Sequence, residues 1–151
     1  FLGGLRTALP EIFSDPPRGP RPRAQAADQA LGLIAARVEF WARRMGASHG
    51  RVSVRDQKTL WGSCSAKGDL SFNRRLALAP AEILDYVVIH ELCHLKELNH
   101  SRRFWARVAL WCPEHKARRR WLREFGAALK RGRIAHAVPA EACAGPSRGW
   151  G

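Results

Sequence analysis

His90, Glu91 and His94 stand in the order HExxH within His90-Glu91-Leu92-Cys93-His94. Four residues is just over one helical turn, so on a helix both imidazoles leave one face and reach one ion. Zinc suits them: imidazole nitrogen binds it at roughly 2.0–2.1 Å, and catalytic sites keep one position open for water. Glu91 lies about 100° around the helix from His90. It therefore flanks the metal, placed to take a proton from a zinc-activated water and to pass it to the leaving group. His100 follows six residues after His94 and supplies a third imidazole, in the spacing HExxHxxxxxH. The implied chemistry is hydrolysis with one Zn2+ ion, three ligands (His90, His94, His100) and Glu91 as general base.

The chain must turn back after His94 for His100 to reach the same ion. Where the metzincin pattern has a glycine at this turn, this sequence has Glu97. Asn99, which tolerates left-handed backbone, is the better point of reversal. Glu97 reads either as a carboxylate that orients His94 or as a solvated helix residue. Cys93 reads as a small core thiol, and Tyr86, one turn before His90, as a structural hydroxyl or an oxyanion donor.

These residues need elements to hold them. Leu31, Ile34, Val38, Trp41 and Met45 recur at steps of three and four, which predicts an amphipathic helix over 27–45. Val52 with Val54, Leu60–Ser65 and Leu70–Asn73 predict three short strands, with Ala66-Lys67-Gly68 as a hairpin turn. Pro80 suits the first position of a helix reaching about Leu98, with Ile83, Val87, His90 and His94 on one stripe. Ser101 is a candidate N-cap for a third helix anchored by Phe104 and Trp105 and stopped by Pro113. A fourth runs from about Glu114 to Lys130 and ends at Gly132. The order is α+β: a small three-stranded antiparallel sheet on a helical layer that carries the HExxH helix.

Composition bounds the rest. At 151 residues with 46% hydrophobic content, one globular domain is expected. We assign residues 1–26 to a poorly ordered Pro/Arg-rich lead-in, 27–132 to the domain and 133–151 to a flexible tail. No run of about 18 apolar residues suggests a membrane span. No signal peptide is visible either. The cysteines Cys64, Cys93, Cys112 and Cys143 form no CxxC pair and read as reduced thiols of a cytoplasmic protein. The net charge of +13 permits an anionic partner without requiring one. One basic set, Arg51, Arg55, Lys58, Arg74 and Arg75, lies by the strands and is expected nearer the cleft. The other, spread from Arg102 to Arg123, reads as a solvated helix face.

The segment from Lys58 to Trp105 resembles the YgjP-like zinc metallopeptidases, relatives of the SprT-like and WLM proteases. Lys58 with Trp61-Gly62-Ser63-Cys64-Ser65, Asn73 to Leu76, Pro80 and Asp85-Tyr86-Val87-Val88 carry the likeness. So do HELCH at 90–94 and Asn99-His100-Ser101 with Phe104-Trp105. The match covers roughly residues 28–130. It implies zinc ligation by His90, His94 and His100, and Glu91 as the base. Relatives usually begin with additional β-rich sequence, where this chain has its lead-in; either that part is missing or the variant is shortened.

A metallopeptidase is the leading reading, with an extended peptide pairing along the second strand and Trp61 as a wall of the cleft. A nucleotide phosphoanhydride hydrolase, with Lys58, Arg74 and Arg75 on the phosphates, keeps the metal and changes the substrate. A basic nucleic-acid-binding zinc protein is the third reading, weakened by the lack of a fourth ligand. Candidate substrate-binding residues are thus Trp61, Ser63, Lys58, Arg74 and Arg75.

Overall fold

The computed structural model describes residues 22–133. The lead-in before residue 22 and the tail after residue 133 lie outside the described residues, as does Cys143. Helix α1 spans Pro22–Met45. It starts five residues before the expected Ala27, taking in residues assigned to the lead-in, because Pro22 is suited to a first turn and Ala24 to Ala26 favour helix. Ala30, Ile34, Val38 and Ala42 are its buried stripe, while Leu31 faces outward. The two alanines let the helix approach its neighbours closely. Gly46, at φ 58°, ends it in the left-handed conformation that glycine adopts without strain.

Strands β1 (Val52–Arg55), β2 (Gly62–Cys64) and β3 (Leu70–Asn73) follow. Their order in the sheet is β1-β3-β2, with β1 parallel and β2 antiparallel to β3. The sheet is therefore mixed, not antiparallel throughout. Two local causes account for this. Leu70, Phe72 and Asn73, all on β3, are the fully buried strand residues, so β3 takes the centre. The side-chain amide of Asn73 donates to the carbonyls of Gln57 (2.7 Å) and Leu60 (3.2 Å), which leads the 56–61 segment across to the far side of β3. Only the β2–β3 connection is a hairpin, and Gly68 sits in it at φ 84°.

The 310 turn Arg74–Leu78 leads to Pro80 and helix α2 (Ala81–His94). Ile83, Leu84, Tyr86 to Ile89 and Glu91 to Cys93 are all buried, so α2 is the central helix, apolar on nearly every side. It stops at His94, short of the expected Leu98. There the N–H groups of Lys96 and Glu97 both turn to the Cys93 carbonyl, and the chain leaves the helix. Helix α3 (Arg102–Trp111) begins at Ser101, whose hydroxyl accepts the Phe104 N–H at 3.3 Å. Helix α4 (His115–Lys130) packs Trp121 and Leu129 beside Ala79 and Ile83. Arg37 on α1 donates two bonds of 2.7 Å to Asp85 on α2, pinning the two helices across the core. No helix among the described residues is long and apolar enough to cross a membrane.

Candidate metal centre

Helix α2 presents His90 and His94 one turn apart, and the 95–101 turn folds His100 back onto them. The Nε2 atom of His100 lies 3.1 Å from that of His90 and 3.2 Å from that of His94. Ligands roughly 2.05 Å from one tetrahedral ion stand about 3.3 Å apart, so the spacing suits a single small cation. The donor set suits it too. His94 Nδ1 donates to the Glu97 carbonyl at 3.0 Å, which leaves a lone pair on its Nε2. Burial, followed by the neighbouring His94 and His100 rings, pushes His90 down to about 3. Burial and His94 also lower His100. Both residues are thereby held as neutral imidazoles, the form that binds metal. His90 Nδ1 is buried and has no partner among the described residues.

Aromatic rings hold this arrangement. Phe104 stacks on His94 at 4.4 Å between centroids and meets His90 and His100 edge-on at 4.8 Å. Trp105 stacks on His100 at 5.8 Å and is backed by His115 at 5.6 Å. The Ser101 cap thus places α3 as a platform beneath the three imidazoles. The Glu97 carbonyl, not its carboxylate, orients His94; the carboxylate lies 3.9 Å from Arg107.

Glu91 is 6% exposed, and burial raises its carboxyl from 4.5 to about 7. With His90 it lines an open cavity of about 330 Å³ walled by Trp61, Gly62, Tyr86 and Leu122. Gly62 explains how the acid fits. A Cβ at that position would stand 2.7 Å from Glu91 Oε1 and 2.8 Å from its Cγ. The missing methyl lets strand β2 lie directly against the carboxyl. Gly126 does the same for Trp61, whose Cζ2 would meet a Cβ at 2.9 Å. Lys130 lies 4.7 Å over the Trp61 ring and donates to the carbonyls of Lys58 and Thr59, so helix α4 braces this wall. Tyr86 also lines the cavity, and burial lifts its phenol to about 12, which keeps it a hydrogen-bond donor.

The other sequence-selected residues lie apart from the cavity. Ser63 faces away from α2, on the outer side of the sheet with Ser53 and Ser71. Arg74 and Arg75 reach Asp56 at 2.7 and 3.7 Å, and Lys58 with Arg75 borders a separate concavity. The basic side chains in the cavity are instead Arg119 and Arg123 of α4. Their four-residue spacing puts them on one helix face, but sequence gave no sign that this face meets the metal helix. Cys93 is fully buried, and burial lifts its thiol to about 12, as fits a core residue.

No curated protein matches the chain at a significant level. Among solved structures, that of the metallopeptidase zymogen of Pyrococcus abyssi abylysin is similar, with a TM-score of 0.54 and 25% sequence identity. The alignment covers 62% of this chain and 95% of that one. The family described as YgjP-like, metallopeptidase domain matches residues 23–125. That span runs from α1 well into α4 and includes every residue of the histidine cluster and its platform: the chain belongs to the YgjP-like metallopeptidase family.

Proposed function

We propose that this metallopeptidase uses one zinc ion, held by the Nε2 atoms of His90, His94 and His100, with Glu91 as general base. Three converging imidazole nitrogens, one of them on His90, which lines an open cavity together with the buried Glu91, carry the reading. When bound, zinc supplies Lewis-acid chemistry, lowering the pKa of water towards 7 and polarising a carbonyl. The chain's own residues do the rest. Glu91, held near neutrality by burial, accepts the proton of the attacking water and delivers it to the leaving amine. The Tyr86 hydroxyl donates to the oxyanion that develops on the cleaved carbonyl. Strand β2 is an edge of the sheet, so an extended polypeptide can pair along it with Trp61 beside it.

The polypeptide reading is favoured over a nucleotide one by the metallopeptidase-domain match over residues 23–125, and Lys58, Arg74 and Arg75, the residues expected to hold phosphates, border other surfaces than the cavity at His90. Glu91→Gln tests the role of the base. It should keep parent zinc content and lower peptide turnover by roughly 10²–10⁴-fold. Unchanged turnover with zinc bound would remove Glu91 as the base. Nucleoside triphosphates assayed beside a peptide library, with this variant as blank, should not be hydrolysed.

A further inference from the structure

Two cations enter the catalytic cavity from α4. Arg119 and Arg123 border it together with His90 and Glu91, while its remaining wall is largely apolar. Neither arginine forms an ion pair among the described residues, whereas Arg37, Arg74, Arg75 and Arg107 all do. Both are exposed, so a ligand reaches them without the cost of breaking an internal bridge. Arg119 is also held in place. Its guanidinium lies 5.1 Å over the Trp105 ring, and that ring stacks on His100. The histidine cluster and the cation therefore share one aromatic support. A planar, fixed guanidinium binds carboxylates through two parallel N–H bonds, which gives direction as well as attraction.

We propose that Arg119, assisted by Arg123, makes this cleft select peptides that place a carboxylate next to the scissile bond. The carboxylate is either an Asp or Glu side chain or the free C-terminus. The inference rests on the peptidase reading and specifies its substrate class. The expected selectivity is about tenfold, the effect of one charge-assisted pair at a partly wet site.

The test uses fluorescent peptides on the full chain loaded with zinc and carrying Glu91→Gln, so that binding is read without turnover. One pair of peptides differs only in a free or amidated C-terminus. A second, amidated series carries Glu or Gln at successive positions. At least one carboxylate peptide should bind about tenfold more tightly than its uncharged twin. That ratio should fall to within twofold in Arg119→Gln, recover partly in Arg119→Lys, and persist in Arg120→Gln, which alters an exposed arginine outside the cavity. Whichever series shows the preference identifies the carboxylate's source. Equal binding of the twins, or a preference that survives Arg119→Gln, would overturn the proposal. So would tripolyphosphate competing more tightly than every carboxylate peptide. Turnover of the same peptides by the parent chain separates the two readings. Preferential binding without cleavage would refute the peptidase mechanism and leave the anion site standing, whereas cleavage indifferent to charge would refute only the latter.

Discussion

Gly62→Ala places one methyl group against the proposed base. The new Cβ would stand 2.7 Å from Glu91 Oε1, 2.8 Å from Cγ and 3.0 Å from Cδ, where ordinary contact begins near 3.4 Å. The shortfall is 3.4 − 2.7 = 0.7 Å at the oxygen and 3.4 − 2.8 = 0.6 Å at Cγ. Because Cγ is crowded as well as the carboxylate, rotation of the acid's tip does not relieve the clash. Either Glu91 changes rotamer or β2 retreats from α2. A misplacement of about 1 Å in a catalytic group costs up to about 10²-fold in rate, so kcat should fall about 10- to 100-fold. That corresponds to roughly 1.4–2.7 kcal/mol of barrier. Backbone strain adds nothing, since Gly62 does not have the positive φ of Gly46, Gly68 and Gly132. Overpacking should lower stability by about 1–3 kcal/mol. The assay is steady-state peptide cleavage at saturating substrate, with zinc content and circular dichroism measured on the same preparation. A folded, zinc-loaded variant whose kcat stays within twofold of the parent would refute the claim that Gly62 makes room for the base.

Two further outcomes follow from the packing. Gly126→Ala meets the stiff Trp61 ring at 2.9 Å and should shift the cleft wall, raising KM for peptides several-fold with less effect on kcat; an unchanged KM would detach Trp61 from substrate binding. Arg37→Ala removes a two-bond pair whose side chains are 32% and 20% exposed, so it should cost about 1 kcal/mol and lower Tm by about 3–5 °C, read by thermal denaturation. A Tm within 1 °C of the parent would show that the pair contributes little to holding α1 on α2.

Much of the site is written locally in the chain. His90, Glu91, His94 and His100 lie within eleven residues of one another, so helix period and one turn suffice to bring them together. The Ser101 cap and the Phe104 anchor were legible for the same reason. The sheet was harder. Alternation in Val52–Arg55 and Leu70–Asn73 marks strands and faces but does not name partners, and the parallel β1–β3 pairing joins segments 18 residues apart in register. Its cause, the Asn73 amide holding the 56–61 segment, is a tertiary contact with no periodic trace. The cleft's cations escape the sequence for the same reason. Arg119 and Arg123 lie opposite the apolar stripe of α4 and read as solvated. Their place beside His90 depends on how α4 crosses α2. Gly62 stood in plain view within the Trp61–Ser65 motif, yet its reason, the close approach of Glu91, exists only once β2 and α2 are packed together.

The most direct measurement is zinc content per chain, made by elemental analysis on the purified parent and on His90→Ala, His94→Ala and His100→Ala. The account predicts one zinc per parent chain, and at least tenfold weaker zinc binding in each variant with peptidase activity lost alongside. A parent that cleaves peptides with no stoichiometric metal, or variants that retain full zinc and full activity, would contradict it.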